Sequence, residues 1–415
     1  MIHISDEHNC CGCSACVQVC PLQCIDFTED NKGFRYPTVN KEKCINCGLC
    51  EKVCPVLNEG KPHKPIKTFA VINPDLEVRL DSSSGGFFSL LAEYVINKGG
   101  VAFGACFDKE WNVVHDYIDT VEDLYKLRGS KYVQSHNIDS YIITKKFLQE
   151  GRLVLFSGTS CQISGLKLFL RKEYNNLLTV DVVCHGVPSP LVWRDYKEKI
   201  TKRPKGVAGK NTVLSSLKET PVITGISFRD KRLGWKKYGF VAYGVSAAKA
   251  DKNSVLSLKH SNEEVLIDEM HHDNLYMKMF LNNLCLRPSC YKCHSKKGKC
   301  GSDFTIADFW GIGEFNTKFD DDKGVSAVLV NNAKALDIMN NLKAEICESE
   351  YKQVYKRNHC IEKSVKESKY TRLFWTTFLK EGIESCDSIA KNIKPPILLR
   401  YYSLLVQIAR KIGIV

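Results

Sequence analysis

Beyond residue 65 the chain alternates short apolar runs with amphipathic ones. Thr68–Ile72 reads as a strand, and Phe87–Ile96, apolar on several turns and opened by a Ser-Ser-Ser-Gly-Gly turn at 82–86, reads as a helix stopped by Gly99 and Gly100. The same rhythm predicts a strand at Val101–Cys106, a helix over Asp139–Gln149, and a strand at Leu153–Phe156. A helix over Gln162–Leu170 and a strand at Leu178–Val183 follow. Val222–Phe228 and Tyr238–Tyr243 are further strands. Strands that alternate with helices predict an α/β domain with a largely parallel sheet. The basic, aperiodic stretch Lys202–Thr220 reads as an exposed loop, and Glu59–Pro65, with two prolines and a glycine, as a linker. The final stretch, Ile397–Val415, mixes apolar residues with Arg400, Arg410 and Lys411. Its pattern suits a helix packed on protein or in peripheral contact with a membrane surface.

The first 55 residues follow a different logic, because cysteine spacing replaces hydrophobic period. Cys10-x2-Cys13-x2-Cys16-x3-Cys20-Pro21 returns as Cys44-x2-Cys47-x2-Cys50-x3-Cys54-Pro55. This is the run of bacterial two-cluster ferredoxins, in which three closely spaced thiolates hold one 4Fe-4S cube and the fourth completes the other. One cluster is therefore assigned to Cys10, Cys13, Cys16 and Cys54, the other to Cys44, Cys47, Cys50 and Cys20. Zinc sites are built from two ligand pairs and require neither a third evenly spaced cysteine nor a Cys-Pro. Cys11 and Cys24 fall outside the pattern, Cys11 as a bystander within a ligand run.

Composition narrows the rest. The chain has 415 residues, 44% hydrophobic, with no apolar run of about 18 residues that would span a bilayer. Its first residues are polar and acidic, so no secretory leader is expected, and 20 cysteines in that context point to metal ligation in a reducing, anaerobic cytoplasm. The net charge of +12 is spread through Lys-rich stretches without a nucleic-acid motif, so nucleic acid is not expected as a partner.

In the larger part, three segments place cysteines in loops after strands or turns: Gly158-Thr-Ser-Cys161-Gln162, Val183-Cys184-His185-Gly186 and Cys290-Tyr-Lys-Cys293. Loops beyond the carboxyl ends of strands converge on the binding crevice of an open α/β sheet, so these four cysteines could meet around a third cluster. The alternatives are that Cys161 and Cys184 are buried small hydrophobes, and that Cys285, Cys290, Cys293 and Cys300 form a local zinc or 2Fe-2S site. The glycines of 82–86 suit a phosphate at a helix start, and Arg229, Lys231 and Trp235 an anionic substrate, with Asp230 a candidate to orient Arg229.

With Leu127-Arg-Gly-Ser-Lys-Tyr132, Phe228-Arg-Asp-Lys231 before Gly234-Trp235, and Ser302-Asp-Phe-Thr-Ile306 before Asp308-Phe-Trp-Gly311, these segments resemble, in content and order, the coenzyme F420 hydrogenase/dehydrogenase beta-subunit family over about residues 65 to 335. The resemblance implies a non-covalent FAD beside a third 4Fe-4S cluster on Cys161, Cys184, Cys290 and Cys293. It also implies Ser84, Gly85, Gly86, Gly129, Ser130 and Lys131 at or near the flavin. Arg229 and Lys231 join the cofactor set by their charge, and the candidate catalytic groups are Lys131, which could face the reduced flavin, and His185, next to a cluster ligand and otherwise a bystander. Ser160 departs from the family, which commonly has proline there.

The expected architecture is a two-cluster ferredoxin-like module, 1–60, fused to a larger mixed α/β flavin-binding domain in two parts, 61–148 and 149–335, with a helical extension over 336–415. The expected function is an FAD- and 4Fe-4S-dependent oxidoreductase passing electrons between a low-potential donor, ferredoxin or reduced deazaflavin coenzyme F420, and a small organic acceptor. The alternative is an electron-transfer subunit of a larger redox complex with no substrate site of its own.

Overall fold

The computed structural model describes residues 1–202, 220–246 and 264–393. The loop expected over 202–220 lies almost wholly, and the terminal helix over 397–415 entirely, outside the described residues. Among the described residues no helix is long and apolar enough to cross a membrane.

The N-terminal module is a small twofold repeat. Short helices α1 (Ala15–Gln18) and α2 (Leu49–Lys52) follow the second cysteine of each run, and the hairpin β1 (Ile25–Glu29) and β2 (Arg35–Val39) lies between them. Left-handed residues recur at matching places: Gly12 and Asn46 before the second cysteine, Ser14 and Gly48 after it. That reversal lets each run wrap its thiols around one centre. Gly12 is required for a second reason, since a Cβ there would sit 2.4 Å from Gln134 and 2.9 Å from Arg287. Asn46, at the matching place of the second run, is exposed. The first run therefore faces the body of the protein and the second faces solvent.

The body is an eight-stranded mixed sheet ordered β13-β3-β12-β11-β7-β6-β4-β5. Its strands are β3 (Lys67–Ile72), β4 (Val101–Phe107), β5 (Val113–Ile118), β6 (Val154–Thr159), β7 (Leu177–Val182), β11 (Phe304–Asp308), β12 (Ser326–Val330) and β13 (Glu345–Ser349). Only β4-β6-β7-β11 run parallel; every other pairing is antiparallel. The sheet is thus less parallel than the strand–helix rhythm suggests, because β5 returns as a hairpin on β4 and β12 as one on β11. Strands from both sides of residue 148 share this sheet, and β13, from the stretch read as a helical extension, pairs with β3 at its edge.

Helices α3 (Leu76–Asp81), α4 (Phe87–Ile96), α5 (Ser140–Gln149) and α6 (Ser160–Leu170) connect the strands, with α9 (Ala333–Met339) between β12 and β13 and α10 (Tyr351–Tyr355) after β13. Beside the sheet lies a three-stranded antiparallel layer, β8 (Pro221–Asp230), β9 (Gly239–Ser246) and β10 (Glu264–Met270). It packs through an aromatic core of Trp193, Tyr196, Phe228, Phe240 and Tyr276 on α7 (Pro190–Thr201) and α8 (Leu275–Leu281). Phe374 and Trp375 of α11 (Thr371–Glu381) join the same core, together with Phe34 from the N-terminal module.

Candidate functional site

The parallel strands end at Phe107, Thr159, Val182 and Asp308 on one side of the sheet, and a cavity of about 510 Å³ opens there. That is within the usual size of a small-molecule or cofactor pocket. Its walls include Ser82–Ser84 and Gly86 before α4, Gly129–Lys131, Gly158–Thr159, Cys184–Gly186, and across the gap Arg229, Tyr238, Phe280 and Trp310.

The serine turn is held from behind. Gly85 lies against β3 and β12, where a Cβ would come 2.3 Å from the Val71 carbonyl oxygen, and its N–H donates to Ser326 at 3.0 Å. Lys231 is buried and its Nζ donates to the carbonyls of Arg79, Ser84 and Lys323. These two residues shape the turn without lining the cavity. Gly86, left-handed at φ 84°, opens α4 with no side-chain cap, so the first-turn N–H groups and the positive end of the helix dipole are left for an anion. Ser83 accepts from the Ser130 backbone N–H, which ties the 129–131 segment to the turn.

Lys131 is less free than its sequence suggests. Its Nζ donates to the carbonyls of Lys126 and Arg128, fixing the loop, and burial pushes it down to about 8. His185 bonds through Nε2 to Asn283 Oδ1 at 2.6 Å; the Asn283 amide nitrogen itself donates to Lys366 O, so Nε2 carries the proton and Nδ1 is the ring's acceptor.

Arg229 is paired with Asp308 and not with Asp230. Along a strand the neighbouring residue points to the opposite face, and Asp230 binds Arg232 at 2.7 Å. Trp235 is buried behind the wall, stacked on Trp310 at 4.5 Å. His115 also lines the cavity; both of its ring nitrogens are buried without a side-chain partner among the described residues, and burial holds it down to about 4. Nothing in its sequence context marks it.

One end of the cavity meets a smaller one walled by Cys161, Cys184, Cys290 and Cys293. Cys161 stands in the first turn of α6, Cys184 follows β7, and the other two lie in and just after a tight turn over Pro288–Lys292. Burial pushes the Cys184, Cys290 and Cys293 thiols up, each further raised by Cys161; Cys161 is raised by neighbouring Cys11 and by burial. Four dry, mutually repelling thiols cannot ionise together without a cationic centre, so the donor set fits a metal cluster. The local alternative fails because Cys285 is buried in the aromatic core and Cys300 in the core under α6. Ser160, where the family has proline, donates to buried Asp181 at 2.6 Å, as do Ser302 and Thr305, a bond proline cannot make.

In the N-terminal module Cys13, Cys16, Cys54 and Cys10 interact with one another, and Cys20, Cys44, Cys47 and Cys50 wall a second small cavity. Cys47 is exposed beside Ile45, which is 67% exposed. The inner group presses on the body: Gly165 of α6 lies so close to Cys13 that a Cβ there would be 3.0 Å from its sulfur. Cys11 lies near both Cys13 and Cys161, whose thiols act on its own, and it lines the cavity. Arg287, 0% exposed, fastens the junction by donating to the carbonyls of Cys10 and Arg35, to Gln134 Oε1 and to Cys10 Sγ.

Comparison with known families agrees with this layout. Residues 151–353 match the family described as the C terminus of the coenzyme F420 hydrogenase/dehydrogenase beta subunit, and residues 9–58 the 4Fe-4S dicluster domain. No curated protein matches the chain. Among solved structures, a chain of the xenon-derivatised F420-reducing NiFe hydrogenase complex from Methanosarcina barkeri is similar at 15% identity, covering 79% of this chain and 92% of that one with a TM-score of 0.41.

Proposed function

We propose, from the match of residues 151–353 to the C-terminal family of the coenzyme F420 hydrogenase/dehydrogenase beta subunit and of residues 9–58 to the 4Fe-4S dicluster domain, that the chain is an FAD-dependent oxidoreductase with three clusters and its own substrate pocket. The coarse activity, iron–sulfur electron transfer of an oxidoreductase type, follows from the family. The finer reading is supported by one observation above all: a single cavity of about 510 Å³ touches both the glycine-serine helix start and the four-cysteine cage.

Clusters on the three cysteine groups would carry single electrons, and FAD would exchange them for the two-electron chemistry of an organic molecule. The residues do the rest. Of the outer group Cys47 is exposed, Cys20 and Cys44 are half-buried and Cys50 is buried, so ferredoxin or another low-potential donor would dock beside Cys47, with Cys10, Cys13, Cys16 and Cys54 on the side of the body. The first turn of α4 and the Ser83–Ser130 pair would bind the diphosphate. Lys131 holds the adjoining loop closed, and His185 presents an acceptor nitrogen able to take or return a proton at the cavity wall. The rival reading, an electron-transfer subunit without a substrate site, predicts a missing or blocked pocket beside the flavin and activity only within a complex. Donor identity and the use of F420 are left to a substrate screen.

The test is flavin binding. Apoprotein titrated with FAD should quench its fluorescence to a one-to-one endpoint, and Gly86→Val, whose Cβ would come 2.8 Å from Asn73 in a left-handed backbone, should weaken it at least about tenfold. Failure of the wild-type protein to bind FAD overturns the flavin assignment.

A further inference from the structure

Resting on that reading, we infer that the cavity recognises the carboxylate or phosphate of its redox substrate, and that the Nε–Nη2 edge of Arg229 is the anion site. Arg229 is 7% exposed and lines the cavity from β8. Its Nη1 donates to Asp308 Oδ2 at 2.5 Å, yet Nε and Nη2 are both buried with no acceptor among the described residues. Buried charged donors left unpaired are expensive, so proteins rarely keep them without a partner. Those two N–H groups are parallel and form the face of a guanidinium that takes an oxyanion through two bonds at once.

The fork cannot turn away. Its carbon lies 4.4 Å from the centre of the Tyr238 ring and 5.3 Å from that of Trp310, and Trp310 is stacked flat on buried Trp235, whose Nε1 donates to Asp308 Oδ1. Asp308 fixes the guanidinium on one side, and the other edge is buried without an acceptor among the described residues. The serine turn is served by a different cation: Lys231, two residues along the same strand face, reaches Ser84, whereas Arg229 makes no bond to it. The cavity therefore offers two anion sites, the helix start for a cofactor phosphate and Arg229 for a second, smaller group in an aromatic box.

Anaerobically purified holoprotein is titrated with benzoate, with neutral benzamide of the same shape, and with inorganic phosphate, following tryptophan fluorescence and flavin absorption. Benzoate should bind at least about tenfold tighter than benzamide, and Arg229→Gln should abolish that preference. Arg229→Lys, which keeps the charge against Asp308 and loses the fork, should weaken benzoate about tenfold and is the variant to read if the glutamine protein does not fold. Competition by phosphate marks a phosphate-bearing substrate and its failure a carboxylate; both uphold the site. Equal binding of benzoate and benzamide overturns it, as does an Arg229→Gln protein that loses flavin but keeps the benzoate preference. A protein with no flavin would sink the enzyme reading alone, since the fluorescence arm still reports on Arg229.

Discussion

Replacing Arg287 by methionine should loosen the N-terminal module from the body. The side chain is fully buried and donates to the Cys10 carbonyl at 2.7 Å, the Arg35 carbonyl at 2.9 Å, Gln134 at 3.1 Å and the Cys10 sulfur at 3.4 Å, while its guanidinium lies 4.4 Å from the Tyr36 ring centre. Methionine fills much of the volume but donates nothing. Each buried acceptor left without its charged donor costs about 1–3 kcal/mol. With two main-chain carbonyls and one side-chain amide affected, and partial relaxation, the junction should weaken by about 3–5 kcal/mol. That raises its open population more than about 100-fold.

Native-state proteolysis of the 56–66 segment, with amide exchange in α1, reads this opening directly. In the cluster-loaded protein the inner centre should also shift to a more negative potential, because a hydrogen bond and a positive charge at Cys10 are removed. Arg287→Lys should fall between the two. A loss below about 1 kcal/mol with unchanged proteolysis would refute the reasoning, since the module would then be held by its apolar contacts alone.

Other outcomes follow from the same geometry. Gly48→Ala should cost about 1–2 kcal/mol from its left-handed backbone alone, and Gly12→Ala at least about 1 kcal/mol more because its Cβ meets Gln134 and Arg287; equal losses in denaturant unfolding would contradict the inner and outer assignment. His115, held neutral by burial with its value near 4, binds its proton more weakly than in the unfolded chain. Its contribution is full above about pH 6.5 and is lost as pH falls toward 4, a deficit of about 1.4 kcal/mol at pH 5.5. His115→Phe should lose correspondingly less stability between pH 7.5 and 5.5 in denaturant titrations. Ile45→Glu, at the exposed face of the outer cysteines, should leave stability within about 0.5 kcal/mol while slowing reduction by a protein donor. An unchanged rate in stopped-flow would move the entry point elsewhere.

Much of the central architecture was legible because each feature had one simple cause. The helix at Phe87–Ile96 has the bounds read from its apolar turns and its flanking glycines, and the β6–α6 unit followed from an apolar run and a turn. The edges were not legible. β13, Glu-Ile-Cys-Glu-Ser, is half-exposed at the sheet margin and so has little hydrophobic pattern; β10 does carry an apolar run, with Leu266 and Ile267 buried, but it is only a few residues long. α7 did carry a start signal, Ser189 capping and Pro190 at the first position, and a closer reading would have found it. At the site, spacing identified which cysteines belong to the N-terminal groups. It could not separate Cys285 and Cys300 from Cys290 and Cys293, because only the fold sends the first two into apolar cores. The partners of Arg229 and Lys231, and the position of Cys11 between two cysteine groups, depend on contacts between residues about 80 to 150 apart in the chain.

Anaerobic purification with iron, acid-labile sulfide and released flavin quantified on one sample tests the central claim most directly. About twelve irons and one FAD per chain are predicted. About eight irons with no flavin, after reconstitution with both, would contradict it and leave a two-cluster electron carrier.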